Sequence, residues 1–169
     1  MQVTVIRHGT AEDRAATDAE RALTSRGRDE VAAAAERLAG LAGEPPDCIV
    51  SSPLLRARQT AEIVARRVAF TGTVHIEDAL MPDAEPAGVG DLVARLGARR
   101  HVVLVAHEPI LSAACTWLTG TVVSSLRKAE VVSMTTMTTM TTMTTMAADA
   151  PGAAGDRGGR GQFAIRFRV

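Results

Sequence analysis

The sequence predicts an α/β fold, a three-layer α/β/α sandwich around a mostly parallel central sheet. Short β-branched runs alternate with stretches of helical apolar spacing over roughly the first 120 residues. The run from His101 to Ala106 is continuously apolar through Val102, Val103, Leu104 and Val105, the pattern of a strand buried on both faces. Apolar residues make up 46% of the chain but aromatics only 2%, so Ala, Val and Leu must fill the core. That supply suits helices packed on a sheet, and 169 residues fit one domain spanning 1–169.

Gln2 to Ile6 reads as the first strand, because Val3, Val5 and Ile6 are β-branched and the run stops at Arg7-His8-Gly9. Arg26 to Leu41 reads as a helix on Val31, Ala35, Leu38 and Ala42, with Thr24 as its cap and Gly40 and Gly43 as stops. Asp47 to Ser51 is a second short strand. Ser52 before Pro53 has the form of a helix start, the serine capping and the proline taking a first helical position where a missing N–H costs nothing. This helix is expected to run to about Val68 and to bury Leu54, Ala57, Ala61, Val64 and Val68. Arg56, Arg58, Glu62 and Arg66 then turn to its other faces.

Val74 to Ile76 is a short strand, and Val89, Leu92, Val93 and Leu96 mark another helix. After His107, Pro109 opens a helix carrying Ile110, Leu111, Ala114, Cys115 and Leu118, closed by Gly120. Residues 134–146 form a Met/Thr tract whose three-residue period matches neither the 3.6 of a helix nor the 2.0 of a strand. It reads as a low-complexity insertion extending a strand that begins near Val131, followed by a Gly-rich loop over 151–161. Phe163, Ile165, Phe167 and Val169 alternate with Ala164, Arg166 and Arg168, predicting a half-exposed final strand.

The 19 basic and 19 acidic residues cancel, so the chain lacks the basic footprint of a nucleic-acid binder and any phosphate recognition must be local. Met1 leads straight into an apolar strand with no basic leader, and no run approaches about 18 consecutive apolar residues. No membrane partner and a cytoplasmic location are expected. Cys48 and Cys115 lie in apolar runs and read as buried, reduced thiols. A metal held by His8 and His107 lacks a third ligand at suitable spacing, so neither metal nor cofactor is expected. His75 has no motif around it.

Three segments share one position, the carboxyl end of a predicted strand: Arg7-His8-Gly9, Ser51 to Ala57, and Ala106-His107-Glu108-Pro109. Parallel strands would bring them together at one sheet edge, where α/β folds keep their ligand crevices. Helix N-termini near Ser52 and Pro109 would add free N–H groups for an anion. Arg7 and Arg56 can hold phosphate oxygens through fork-shaped charged hydrogen bonds. Gly9 would let the backbone pass close to the ligand. His8 attacks phosphorus only as a neutral imidazole, a state that cationic neighbours favour, and His107 can donate a hydrogen bond to the transferring group.

These residues resemble the histidine phosphatase superfamily, also called phosphoglycerate mutase-like, whose hallmark is the Arg7-His8-Gly9 triplet after the first strand. The similarity is greatest to its small SixA-type phosphohistidine phosphatases. It is carried by Val5-Ile6-Arg7-His8-Gly9, Arg21-Ala22-Leu23-Thr24 with Gly27, Ser51 to Ala61, Leu80-Met81-Pro82, and Val105 to Pro109, in that order. The resemblance implies a metal-independent phosphatase in which His8 becomes phosphorylated. By position, Arg7, Arg56 and His107 would form the phosphate pocket and Arg21 a further contact. The stretch Leu80 to Asp83 lacks the glutamate acid of larger relatives, which favours an easy leaving group: a phosphohistidine on a protein partner. Glu12, Asp13, Asp83 and Glu108 are expected to be solvated loop carboxylates rather than proton donors. Two other functions remain open, hydrolysis of a small phosphomonoester and a phospho-protein binding module with little turnover.

Overall fold

The computed structural model describes residues 1–136 and 163–169. The later part of the Met/Thr tract and the Gly-rich loop at 151–161 lie outside the described residues. In chain order the elements are β1 (Gln2–Arg7), α1 (Ser25–Ala42), β2 (Cys48–Ser51), α2 (Leu55–Arg67), β3 (Val74–Ile76), α3 (Pro86–Arg95), β4 (His101–Ala106), α4 (Ile110–Thr119), β5 (Val131–Thr136) and β6 (Phe163–Arg168). Short 3-10 turns occupy Asp18–Glu20 and Asp78–Leu80.

The strands form one six-stranded sheet in the order β3-β2-β4-β1-β5-β6. The first four are mutually parallel, whereas β5 runs antiparallel to β1 and β6 antiparallel to β5. The sandwich follows from the period-2 alternation of the strands. Ile6, Ile49, Val103 and Val105 point to one face, packed against Val31, Ala35 and Leu38 of α1 and Ala57, Ala61 and Val64 of α2. Val3, Val5, Val50, Val102 and Leu104 point to the other, against Val89, Leu92 and Val93 of α3 and Ile110, Leu111, Ala114 and Leu118 of α4. All six residues of β4 are buried, as the unbroken apolar run requires. Each fully buried Val or Leu contributes about 1.5–3 kcal/mol of transfer free energy, so Ala, Val and Leu sustain two cores with hardly any aromatic help.

Local signals account for most boundaries. Thr24 caps α1, its Oγ1 accepting from Gly27 N at 2.9 Å. Gly43 and Gly120 end α1 and α4 at φ +80° and +68°, backbone that glycine adopts without strain, while Gly40 lies inside α1 rather than stopping it. Pro86 takes the first turn of α3. Pro109 precedes α4 as its N-cap residue instead of occupying the first helical position. Ser52 departs further from expectation: α2 starts at Leu55, Leu54 is its N-cap residue, and no side chain caps it.

The C-terminal strand departs in a physically instructive way. A bulge between Ser133 and Met134 shifts the register so that Ser133 opposes Phe167 and Met134 opposes Ile165. Phe163 therefore packs with the α3/α4 core and Phe167 and Val169 with the α1/α2 core, leaving Ile165 exposed. The four apolar residues do not share one face. Met134, first of the Met/Thr tract, is fully buried in β5, so the tract does begin as a strand. Cys48 and Cys115 are buried free thiols.

Close packing between the loop after β1 and the first turn of α1 sets the fold's tightest steric demand. A Cβ on Gly27 would lie 1.9 Å from Thr10 O, and one on Gly9 would lie 2.5 Å from Gly27 O and 2.8 Å from the Val31 side chain. Gly9 thus serves a backbone-to-backbone contact inside the fold. Gly27→Ala is expected to lower the unfolding free energy by about 1–3 kcal/mol through forced displacement. Gly40→Ala, with no atom within 4 Å of the added methyl, should raise it by about 0.5–1 kcal/mol. Urea midpoints of the two variants against the parent check both signs.

Candidate active site

Adjacent parallel strands place the two histidines. β1 pairs with β4 in a register that sets Arg7 opposite Ala106, and His8 N donates to Ala106 O at 3.0 Å, so His8 and His107 leave the sheet side by side. Their ring centroids are 4.9 Å apart at an interplanar angle of 56°. The chain leaves β1 through α1 on one face towards β2, and leaves β4 through α4 on the other face towards β5. Connections that part in opposite directions open a crevice at the carboxyl ends of the strands.

Hydrogen bonds orient each imidazole. His8 Nδ1 lies 2.7 Å from Gly9 O, and since a carbonyl only accepts, Nδ1 carries the proton and Nε2 keeps its lone pair. His107 Nε2 lies 2.9 Å from Ser52 Oγ, which also accepts from Leu54 N at 3.5 Å. His107 Nδ1 is buried with no hydrogen-bond partner. Thr60 ties α2 to the loop after β1, its hydroxyl donating to Arg56 O at 2.8 Å and accepting from Gly9 N at 3.4 Å.

Both rings are almost fully buried, and both are held neutral. Burial lowers the His8 pKa to about 3, with Lys128, His107 and Arg56 acting in the same direction and the Gly9 bond against it. Burial also lowers His107 to about 3, helped by Arg56, Lys128 and Arg7 and opposed by Asp18. Desolvation, rather than the cationic neighbours foreseen from the sequence, is the leading cause.

The structure brings Arg7, His8, Arg56 and His107 to one end of the sheet. Arg56 is buried, donating from Nη1 to Asp18 O at 2.7 Å and pairing through Nη2 with Asp18 Oδ2 at 3.0 Å. Arg21 binds the other oxygen of that carboxylate at 2.9 Å and Glu12 O at 2.6 Å. Asp18 therefore links both arginines, and their hydrogen bonds hold its pKa below the usual carboxylate value. Arg7 Nη1 donates to Leu126 O at 2.5 Å, while its buried Nε has no partner. Neither α2 nor α4 has a side chain capping its first turn.

Glu12, Asp13 and Asp83 are exposed as expected. Glu108 is not a free loop carboxylate: it accepts from Ser112 Oγ at 2.6 Å and from Leu126 N at 3.1 Å. Sequence reasoning missed Asp18, Ser52 as the partner of His107, and Lys128, whose Nζ is 3.5 Å from His8 Nε2. The signal for Lys128 lay in the strand after it. A strand antiparallel to β1 begins where β1 ends, so the residues before β5 must lie beside His8. Among the described residues no three His, Cys, Asp or Glu side chains converge as a metal site, and no helix is long and apolar enough to cross a membrane. His101, also buried, lies at the opposite end of β4, held by Thr4 Oγ1 at 3.0 Å.

Neutral buried imidazoles make stability depend on pH. An unfolded histidine takes up a proton near 6.5, whereas His8 and His107 do not until about 3, so the unfolded chain binds more protons across that window. Stability is complete above pH about 6.5 and falls as the pH drops towards 3, by about 2 kcal/mol per imidazole at pH 5. His101, also depressed by burial, adds to the loss. Denaturant unfolding at pH 7 and pH 5 measures it, and His107→Gln should shrink the difference; equal stability at the two pH values contradicts the neutral pair.

Comparison with known proteins gives this geometry its context. The model of the histidine phosphatase superfamily (branch 1) matches residues 3–81. Phosphohistidine phosphatase SixA of Escherichia coli (strain K12) is 35% identical over 117 residues, which cover 66% of this chain and 70% of that protein. An uncharacterized protein of Picosynechococcus sp. is 49% identical over 67 residues, 38% of this chain and 40% of that one. Among solved structures, the protein histidine phosphatase SixA complexed with tungstate aligns with a TM-score of 0.82 at 23% identity, covering 100% of this chain and 96% of that one. A mycobacterial glucosyl-3-phosphoglycerate phosphatase with VO3 aligns at a TM-score of 0.63 and 23% identity, covering 79% and 92%. At these identities the two structures show a shared fold, and the Escherichia coli relative shows the family. The chain belongs to the histidine phosphatase superfamily, in its SixA-type branch, and is a hydrolase of the phosphatase class.

Proposed function

We propose that the protein removes phosphate from phosphohistidine on a partner protein, through a phosphoryl group carried transiently on His8 Nε2. The observation that carries this reading is the oriented, neutral His8: Nδ1 is committed to Gly9 O, so the lone pair sits on Nε2 amid positive charge. In the first half-reaction that pair forms the N–P bond while the leaving group departs with its own electrons. In the second, water displaces the phosphoryl group and the pair returns to Nε2. Arg7 and Arg56 hold the equatorial oxygens, Arg21 adds charge at the rim, and the unpartnered His107 Nδ1 is available to the transferring group. Guanidinium groups and a desolvated crevice supply the electrostatics that a metal provides elsewhere.

Leaving-group chemistry supports the substrate. No carboxyl group is hydrogen-bonded to either imidazole among the described residues. Asp18, whose charge reaches His107, is kept ionised by Arg21 and Arg56 and so is a poor proton donor. Glu108 is occupied by Ser112 and Leu126. A phosphohistidine ring protonated on its other nitrogen leaves as neutral imidazole without a further acid, whereas an alkoxide needs one. A small phosphomonoester is the second reading, favoured by the fold shared with a glucosyl-3-phosphoglycerate phosphatase.

Purified protein offered a phosphohistidine protein, a sugar phosphate and an aryl phosphate is expected to turn over the first fastest; faster turnover of the small esters gives the substrate to the second reading. Tight binding of a phospho-protein without phosphate release would instead make the fold a binding module. His8→Ala should abolish turnover and the acid-labile phosphoenzyme. Arg56→Ala should cost about 2–4 kcal/mol in kcat/KM by analogy with lost oxyanion donors. Activity should survive EDTA; loss on chelation and recovery on adding Mg2+ or Zn2+ would contradict a metal-free mechanism.

A further inference from the structure

The turn between α4 and β5 brings one more cation to the nucleophile. Lys128 Nζ lies 3.5 Å from His8 Nε2, on the nitrogen that the Gly9 bond leaves free. The turn is fastened on several sides. Ala129 N donates to His8 O at 3.3 Å, and Glu130 N donates to Arg127 O at 3.1 Å. The buried Glu130 carboxylate accepts from Arg127 N and Arg168 Nε, each at 2.5 Å. At its centre Ala129 has φ +57°, a left-handed conformation that costs a residue with a Cβ about 1–2 kcal/mol. The buried Glu130, the bond to His8 O and the strained alanine therefore fix the Lys128 backbone beside His8. Lys128 also lines a cleft of about 390 Å³ with Glu30, Arg37 and Arg127, whose lining does not include His8.

We propose that Lys128 is a further catalytic residue, its ammonium binding the equatorial oxygens of the phosphoryl group as that group passes onto and off His8 Nε2. This rests on the reading of His8 as the nucleophile and adds a role to it. With a phosphohistidine protonated on its other ring nitrogen as donor, the N–P bond of the substrate breaks, the pair stays on the departing imidazole, which is neutral because of that proton, and the new N–P bond forms on Nε2. Lys128 neither gains nor loses a proton. Water then forms a P–O bond, the N–P pair returns to Nε2, and both water protons leave with the dihydrogen phosphate. The ammonium acts throughout as a fixed charge beside oxygens whose charge is redistributing.

Everything that faces Lys128 bears on its charge. Partial burial lowers its pKa most, Arg7 from β1, Arg56 from α2 and Arg21 from the loop before α1 act in the same direction, Glu30 of α1 acts against them, and the result is about 8. His8, its nearest neighbour, is neutral across the working range. A clamp that loses its proton near pH 8 gives kcat/KM an alkaline limb there, because that parameter reports the free enzyme.

The test uses an aryl phosphate, rapid-quench measurement of acid-labile phosphate on His8, and the pH profile of kcat/KM for the parent, Lys128→Met and Lys128→Arg. Lys128 is exposed at the cleft, and thermal unfolding verifies that both variants fold. Lys128→Met is expected to slow His8 phosphorylation about 10²–10³-fold, the range for loss of one oxyanion donor, and to abolish the alkaline limb. Lys128→Arg should recover at least about tenfold of that loss and carry the limb beyond the pH at which an ammonium deprotonates, because guanidinium stays charged. A Met variant within about threefold of the parent, an Arg variant no better than Met, or a limb unmoved in both overturns the role of Lys128 while labelling of His8 stands. Absence of label on His8 in the parent overturns the nucleophile itself, and the proposal with it.

Discussion

Everything chemical in this molecule depends on one pairing, the in-register parallel contact between β1 and β4. Six consecutive backbone partners from Gln2 with His101 to Arg7 with Ala106 bring the next residues of both strands to the same height. Those residues are His8 and His107. A shift of one residue would turn every side chain of a strand to the opposite face and part the rings. The register is locked by burial on both faces, since Val3, Val5, Val102 and Leu104 enter one core while Ile6, Val103 and Val105 enter the other. The apolar sandwich thus fixes a polar geometry at its rim.

Burial at that rim also determines charge. Removing two imidazoles from water favours their neutral forms, and the surrounding guanidinium and ammonium groups reinforce the effect, so desolvation and Coulomb repulsion act together. Neutral nitrogen among cations is a combination that repels protons and attracts a phosphoryl group. Lowered basicity makes nitrogen a weaker nucleophile, and in the proposed attack the compensating factor is position: Nδ1 is fixed by Gly9 and the ring by its packing, so little reorganisation would remain.

The sandwich, its helices and the meeting of Arg7, His8, Arg56 and His107 were legible in the sequence because they depend on period and on strand ends. An apolar run as dense as Val102 to Val105 can only be a central strand, and residues that directly follow parallel strands must share an edge. What stayed hidden depends on pairings that periodicity does not encode. Ser52 has every local feature of a cap, yet α2 begins three residues later and the serine hydroxyl meets His107. Phe163 to Val169 alternates without a flaw, but the bulge at Arg166 turns half the run to the other core. Lys128 follows no motif, and its place beside His8 becomes visible only once β5 is known to lie antiparallel to β1. Glu108, polar and next to a loop, reads as solvated until Ser112 and Leu126 are found in reach of it.

Asp18 shows how the two arginines proposed to hold phosphate can be ordered and yet remain available. Its carboxylate binds Arg56 and Arg21 through different oxygens, but it is 62% exposed whereas the Arg56 side chain is only 6% exposed. Such an exposed partner contributes little net stability, about 0–1 kcal/mol, because water competes for it and screens its charge. Arg56 keeps its place for other reasons: it sits on α2, its Nη1 is held by the Asp18 carbonyl, and Thr60 anchors the helix to the loop after His8. In the proposed reaction an arriving oxyanion would meet a guanidinium whose position is set by the backbone and whose side-chain partner is easily given up. The rigid cation and the exchangeable anion together let the site be preorganised without being blocked.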